Sequence, residues 1–224
     1  MSVTDDEKDP ALGSAPTEAG SGRRDKRRLE AFSDGVFAIA VTLLVLELKV
    51  PATSALPPGG LIEALREEWP SYFAYLLSFA TILIMWVNHH VVLDYIRHVD
   101  HAFLYLNGLL LLTITLVPFP TSLFARYALQ PDAHLAAAVY CGLFTLIAVC
   151  FNLVWWYAAH SNRLTTPDGG GGAVTRRYMF GPLFYLVALG VAFFSVPAAL
   201  LICTALAVFF ALPYRPPASE RMQG

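Results

Sequence analysis

The sequence predicts an all-α, polytopic membrane protein with six transmembrane helices per subunit. Two observations predict this fold class. Of the 224 residues, 56% are apolar and 14% are charged, and the mean hydropathy is +0.54. Apolar runs also recur at lengths that cross a hydrocarbon core of about 30 Å at roughly 1.5 Å per residue. A chain of this composition is too apolar for an ordinary soluble domain.

Net charge and cysteine content bear on two further classes of protein. The formal net charge is −2, so the overall charge indicates no nucleic-acid partner. The three cysteines, Cys141, Cys150 and Cys203, all lie in apolar runs. We therefore expect free thiols that act as small hydrophobic side chains, not a disulfide framework.

The first predicted transmembrane helix covers residues 28–50 and is apolar from Phe32 to Val50. Residues 1–27 before it are polar and contain no apolar core, so we expect a disordered cytoplasmic tail. The channel-forming domain is expected at 28–214, followed by a second cytoplasmic tail at 215–224. A basic cluster marks the start of the first helix: Arg23, Arg24, Lys26, Arg27 and Arg28.

Ser33 and Asp34 interrupt the apolar run near its start. A lone carboxylate placed deep in a bilayer costs about 2.5–3.5 kcal/mol. We therefore expect these side chains either to cap the helix or to contact partners elsewhere in the protein. In one interpretation they cap the helix, because both residue types satisfy free amides at a helix start. In the other, Arg28 and Asp34, which do not stack on one helix face, each contact another helix or subunit.

Ile39, Leu43 and Leu46 recur at i, i+4 and i+7 in this helix, and Thr42 lies beside them. This spacing places a stripe of branched aliphatic side chains and a hydroxyl on one helical face. The stripe alone is compatible with ordinary helix packing. Combined with the polar entrance, it makes the first helix a candidate pore-lining helix.

Five further spans are predicted along the rest of the chain. Pro118 and Pro120 are expected to kink or end the third span, and Pro197 is expected to divide the long apolar run at its C-terminal end. A short interfacial helix is expected at 61–69, before the second span. The five spans are predicted at 70–94, 102–124, 135–158, 178–195 and 197–212.

The distribution of lysine and arginine predicts the orientation in the cell membrane. An even number of spans places both termini on one side. Twelve of the 15 lysine and arginine residues lie in the two tails and in the loops on that side. Because cytoplasmic segments carry the excess of these residues, we expect both termini to be cytoplasmic. The other side holds only Lys49, Arg66 and Arg126.

The motif Arg28-x-x-x-Phe32-Ser33-Asp34 resembles the signature of the transmembrane protein 175 family, the lysosomal and prokaryotic potassium channels. Trp86, His89 and His90 in the second span extend this resemblance, which covers about residues 28–214. The resemblance implies a homotetramer in the lipid bilayer, with the first helix of each subunit lining a central potassium-permeable pore. In our interpretation, a structural polar network at the cytoplasmic mouth of the pore is made by Arg28, Phe32, Ser33, Asp34, Trp86, Asn88 and one of the two histidines, His89 or His90.

In the family, the positions that constrict the pore correspond here to Ile39, Leu43 and Leu46, and a threonine layer corresponds to Thr42. Rings of branched side chains narrow a pore until water is unstable in it, which gates conduction by dewetting. No Thr-Val-Gly-Tyr-Gly filter occurs in the sequence, so we expect moderate selectivity for potassium. Thr42 could present its oxygen to ions, although a helical threonine more often bonds its own backbone.

The adjacent histidines, His89 and His90, allow three interpretations. The first is a metal site, which we do not expect, because neighbouring positions on a helix point about 100° apart and the two rings cannot bind one ion together. One histidine as a hydrogen-bonding strut to the first helix is the second interpretation. The third is proton sensing, since free histidine titrates near pH 6.5.

The resemblance therefore implies a potassium channel, without a cofactor, rather than a membrane enzyme or a secondary transporter. A membrane enzyme is not predicted, because no Gly-x-Ser-x-Gly, His-Glu-x-x-His or Gly-x-Gly-x-x-Gly motif is present. A secondary transporter would show repeats or helices broken in mid-span by glycine and proline, whereas the prolines of this chain lie at the ends of the predicted helices. A proton-permeable channel or a secondary transporter stays the alternative function.

Overall fold

The structure is a computed structural model that describes residues 18–160 and 178–212, and its regular elements are helices. The expected tail residues 1–17 and 215–224, and the loop at 161–177, lie outside the described residues. The helices are α1 (Glu18–Leu43), which continues as a 3₁₀ turn (Leu44–Glu47), a second 3₁₀ turn (Thr53–Ala55), α2 (Gly60–Glu67), α3 (Trp69–Asp94), α4 (His101–Thr115), α5 (Pro118–Tyr127), α6 (Ala133–His160), α7 (Gly181–Ala192) and α8 (Val196–Ala211).

Four segments are long and apolar enough to cross a bilayer: Asp25–Glu47, Trp69–Asp94, His101–Tyr127 and Ala133–His160. They correspond to the first four predicted spans. Helices α7 and α8 are also apolar but contain only 12 and 16 residues. At 1.5 Å per residue they are about 18 and 24 Å long, shorter than a hydrocarbon core of about 30 Å.

Helix α1 differs from the prediction at both ends. It begins at Glu18, ten residues before the predicted boundary, inside the stretch expected to be disordered. It ends earlier than expected, because the chain tightens into the 3₁₀ turn and Leu48 is already extended, with φ −80° and ψ 108°. Pro51 explains part of this difference, since a proline disfavours helix in the residue before it.

The predicted third span is one transmembrane segment made of two helices. Helix α4 ends at Thr115, and α5 begins at Pro118. A proline is compatible with the first turn of a helix but removes a hydrogen bond within one, which explains the break at this point.

At the start of α4, the Asp100 carboxylate accepts hydrogen bonds from the Phe103 amide at 2.8 Å and from the Tyr157 hydroxyl of α6 at 2.7 Å.

Helix α6 is the centre of the bundle. It packs against α4, α5, α7 and α8, and half of its most apolar stretch is buried inside the chain, compared with 28% for α1. Lipid tails are as apolar as these side chains, so the helices associate through close packing and interhelical hydrogen bonds rather than by escape from water. Ala137, Cys141, Phe144 and Ile147 carry this packing and are at most 1% exposed.

A buried hydroxyl cluster joins three helices in the middle of this bundle. Ser78 of α3 lies 2.8 Å from the Thr121 hydroxyl of α5 and 3.0 Å from the Tyr140 hydroxyl of α6. Thr121 also donates to the Val117 carbonyl, so its own hydrogen is used and the Ser78 hydroxyl donates to Thr121. The Tyr140 hydroxyl in turn donates to Ser78, which satisfies all three groups.

Helices α7 and α8 form the hairpin that Pro197 was expected to produce. The chain leaves α7 through a turn in which the Phe194 and Ser195 amides donate to the Val191 carbonyl. Ser195 is extended and its hydroxyl accepts from the Ala198 amide at 3.4 Å, which caps the start of α8. The division of the C-terminal apolar run thus depends on one serine cap and one proline.

We expect Tyr140→Phe to lower the free energy of unfolding by about 1 kcal/mol, because Ser78 loses a hydrogen-bonding partner inside the membrane. Tyr105→Phe is the matched control, since Tyr105 is 81% exposed. Its effect should stay within about 0.5 kcal/mol. Reversible unfolding in mixed detergent micelles measures both values, and equal losses in the two variants would contradict the role of the hydroxyl cluster.

Candidate functional site

Helix α1 has one face that no other part of the described chain covers. Ile39, Leu43 and Leu46 lie on it and are 59%, 42% and 71% exposed, and Phe32 near the start of the face is 64% exposed. Thr42 is exposed on the same side. The three aliphatic positions that the sequence predicts for a constriction therefore lie together on an uncovered helical face.

The opposite face of α1 is fixed to the bundle. Ser33, Phe37, Ala40 and Leu44 are at most 2% exposed, and α1 packs there against α3 and α4. This spacing of three to four residues is the helical period. Because one face is buried so completely, the rotation of α1 about its axis is set, and with it the direction in which Ile39 and Leu43 point.

Asp34 joins α1 to α3 through two side chains. The Trp86 indole donates to Asp34 Oδ1 at 3.0 Å, and His90 Nε2 lies 3.5 Å from the same oxygen. The Trp86 and His90 rings contact each other edge to face, with centroids 4.6 Å apart. His90 Nδ1 is 3.2 Å from the Trp86 carbonyl, which can only accept, so this nitrogen carries a hydrogen.

Ser33 joins α1 to α4 through the side-chain amide of Asn107, which the sequence pattern does not single out. Asn107 of α4 donates from Nδ2 to Ser33 Oγ at 3.0 Å, and its Oδ1 lies 2.8 Å from His89 Nε2. An amide oxygen only accepts, so His89 donates from Nε2. All three side chains are at most 1% exposed. The result is a buried chain of hydrogen bonds from α3 through α4 to α1.

His89 has a second nitrogen that faces no polar partner. Its Nδ1 is buried and forms no hydrogen bond with the described residues. The ring instead packs on Phe37 of α1, with centroids 5.5 Å apart. Both histidines therefore contact the first helix: His89 through Phe37 and through Asn107, and His90 through Asp34.

Three residues of the expected polar network lie outside these contacts. Arg28 is exposed and forms no ion pair with the described residues, and Phe32 lies on the uncovered face. Asn88 points to a different part of the bundle, where its Oδ1 accepts from the Tyr178 hydroxyl at 2.8 Å. Asn88 follows Trp86 by two positions and precedes His90 by two, so a helix directs it away from Asp34.

Thr42 uses its hydroxyl hydrogen within α1. Its Oγ1 donates to the Ile39 carbonyl at 2.9 Å, as the sequence analysis considered for a helical threonine. The donated hydrogen points back to the helix, and the lone pairs of the oxygen stay available on the exposed side.

The described residues offer no site for a metal ion, since no three His, Cys, Asp or Glu side chains come together among them. The chemistry of the site is therefore that of an apolar, uncovered helical face held by buried hydrogen bonds at one end. An arrangement of this kind on a bundle of membrane-crossing helices defines an integral membrane protein.

Comparison with known proteins identifies the family. Residues 28–118 match the family model of the endosomal/lysosomal potassium channel TMEM175. A potassium channel of Chamaesiphon minutus is 49% identical over 88% of this chain and 97% of its own length. A potassium channel of Streptomyces collinus is 45% identical over 82% of this chain and 90% of its own length.

A solved structure agrees with these relatives. The crystal structure of a TMEM175 homologue from Chamaesiphon minutus, described as a lysosomal potassium-selective channel homologue, superposes with a TM-score of 0.79 at 50% identity. It covers 84% of this chain, which covers 97% of that structure. The chain therefore belongs to the TMEM175 family. The predicted resemblance to potassium channels, rather than to enzymes, is confirmed.

A double-mutant cycle tests the hydrogen bond between Ser33 and Asn107. We expect Ser33→Ala and Asn107→Ala to be non-additive in the free energy of unfolding by about 1 kcal/mol, because each removes the same contact. Ser78→Ala combined with Asn107→Ala is the control pair. Ser78 shares no hydrogen-bonding partner with Asn107, so these effects should add within about 0.5 kcal/mol. Additivity in both pairs would contradict the contact.

Proposed function

We propose that this chain forms a potassium-permeable cation channel as a homotetramer, with α1 of each subunit lining a central pore. The observation that carries this proposal is the uncovered face of α1, with Ile39, Leu43 and Leu46 on one side and a buried, hydrogen-bonded opposite face. A helix that only anchored the chain in lipid would not require such a fixed rotation. Family membership supports the same conclusion.

A closed ring of subunits follows from this geometry. One α1 presents one stripe and cannot enclose a path by itself, so several copies must meet around an axis. The stripe positions then repeat as rings of branched side chains. A narrow apolar ring destabilises water, so the rings of Ile39, Leu43 and Leu46 serve as the gate.

The same rings provide moderate selectivity. An ion that passes a narrow apolar ring must give up part of its hydration shell, and potassium binds its shell less tightly than sodium. Thr42 lies between the rings of Ile39 and Leu43 and presents hydroxyl lone pairs after donating its hydrogen to the backbone. Four such oxygens replace only part of an ion's hydration, which agrees with the absence of a carbonyl filter in the sequence.

In this proposal α7 and α8 are the fifth and sixth spans of a domain at 28–214, in the cell membrane with both termini cytoplasmic. The apolar stretches beside them, from Tyr178 to Leu212, add length to the two short helices. A bilayer adapts to a short span by local thinning at a modest cost. Helix α2 then lies at the outer surface of the membrane, where the charges of Glu63, Arg66 and Glu67 face water.

Purified protein in liposomes loaded with potassium tests the function and separates it from the alternatives. A potassium channel collapses the gradient without a coupled ion and sets a potassium diffusion potential. A proton-permeable channel would instead acidify the lumen when the outer pH is lowered. The pairing of His90 with Asp34 is the contact in the structure that favours this alternative. A secondary transporter would require a second ion for flux.

We expect Leu43→Ala and Ile39→Asn to raise the single-channel current about threefold, which corresponds to a barrier lower by roughly 0.7 kcal/mol. Both substitutions widen or hydrate an apolar ring, so they should also weaken the preference for potassium over sodium. Planar-bilayer recording under bi-ionic conditions measures both quantities.

Leu186→Ala is the matched control, because Leu186 is 53% exposed on α7, away from the uncovered face of α1. It should leave the current and the reversal potential unchanged. Unchanged reversal potentials in Leu43→Ala and Ile39→Asn would remove these residues from the filter.

We expect Asp34→Ala to reduce assembly, because Trp86 and His90 lose their contact with α1 and the pore-lining helix loses its fixed rotation. The Asp34 side chain is 43% exposed, so the loss should be about 1–2 kcal/mol, below that of a fully desolvated pair. This corresponds to a roughly tenfold smaller association constant.

Light scattering after size-exclusion chromatography measures the assembled fraction. Glu30→Ala is the control, since within the described part of the chain Glu30 pairs only with Lys26 one turn away, at 3.5 Å. Intact oligomers with normal current in Asp34→Ala would contradict this role for the carboxylate.

A further inference from the structure

Two of the three buried cysteines meet inside the bundle. Cys141 of α6 and Cys203 of α8 have their Sγ atoms 3.6 Å apart, and the two residues are 0% and 3% exposed. The third, Cys150, is nine positions beyond Cys141 on α6, about 13 Å further along the helix axis. The structure thus contains one close pair of thiols and one separate thiol.

We propose that Cys141 and Cys203 form a redox modification site, at which a small hydroperoxide converts the two thiols into a disulfide that links α6 to α8. This proposal is independent of ion permeation, because neither residue lies on α1.

The spacing of the two sulfur atoms supports a bond between them. A disulfide bond is about 2.05 Å long, so the two atoms need to approach by roughly 1.5 Å. Small χ1 rotations and a slight shift of two packed helices provide a movement of this size. Cys141 and Cys203 already face each other across the contact between α6 and α8, so no intervening side chain has to leave.

The chemistry balances with hydrogen peroxide as the two-electron oxidant. One thiol loses its proton and its sulfur attacks the peroxide, so that an S–O bond forms, the O–O bond breaks and water leaves after taking up the proton. The second sulfur then attacks the resulting sulfenic acid, the S–S bond forms, the S–O bond breaks and a second water leaves. Two thiols and one peroxide give one disulfide and two waters.

Burial makes the first of these steps slow and the second one fast. A thiol in apolar surroundings has little thiolate character and reacts slowly. Once one sulfenic acid has formed, however, the partner sulfur is already in contact and the second step is intramolecular. A cavity of about 50 Å³, whose lining includes Tyr185 and Ala207 but neither cysteine, lies one helical turn beyond Cys203 and is large enough for a small neutral oxidant.

The disulfide would change the stability of the bundle. It would close a loop of 62 residues between α6 and the last helix, which removes freedom from the unfolded chain. The helices of the α7–α8 hairpin contain only 12 and 16 residues, and the link would tie this hairpin covalently to the central helix.

The test treats the full chain in lipid nanodiscs with hydrogen peroxide, then denatures it and labels free thiols with a maleimide. We expect the intact mass to fall by two hydrogens and only Cys150 to be labelled, with all three cysteines labelled after reduction by a phosphine. The unfolding temperature should rise by about 5–10 °C on oxidation and return on reduction.

Variants at two of the cysteines keep the result interpretable. Cys150→Ser should retain the mass change and the rise in unfolding temperature. Cys141→Ser should lose both, and Cys141→Ala serves the same purpose if the serine variant does not fold. Labelling of all three cysteines after oxidation, mass gains from added oxygen without a disulfide, or disulfide-linked dimers through Cys150 would each overturn the proposal.

Discussion

The requirement that polar groups inside a membrane find partners within the protein governs the placement of α1. Ser33 is buried in the bundle and Asp34 is half-buried beside it, where Asn107 and Trp86 present matching donors at 3.0 Å in each case. These two bonds come from two different helices and meet adjacent positions on α1. They therefore fix both the axial position and the rotation of the helix. As a result, the stripe of Ile39, Leu43 and Leu46 faces away from the rest of the described chain.

The remaining polar side chains of the bundle follow the same rule at other depths. Ser78, Thr121 and Tyr140 satisfy one another between α3, α5 and α6. Tyr178 connects α3 and α6 to the start of the C-terminal hairpin, since its hydroxyl donates to Asn88 and its carbonyl accepts from Asn152 at 3.0 Å. Each cluster joins three elements, so α6 and its neighbours form a scaffold against which α1 is held.

Sequence patterns predicted the positions of the helices better than their contacts. The break at Pro118 and the division before Pro197 followed from backbone chemistry, whereas the 3₁₀ ending of α1 was not foreseen, because apolar residues continue to Val50. Asn107 was missed although it is the one amide in the apolar helix α4. Asn88 was expected beside Asp34, whereas its Oδ1 accepts from the Tyr178 hydroxyl. In a membrane helix both the buried and the lipid-facing sides are apolar, so periodicity does not reveal which side faces a neighbour.

The 3₁₀ turn at the end of α1 has a geometric consequence for its last stripe residue. A 3₁₀ helix advances 120° per residue and an α-helix about 100°, so three steps from Leu43 to Leu46 differ by about 60° between the two forms. Rewinding this turn as α-helix would swing Leu46 about the axis while Ile39 and Leu43 stay in place. The direction of the Leu46 side chain thus depends on the winding of a single turn, independently of Ile39 and Leu43.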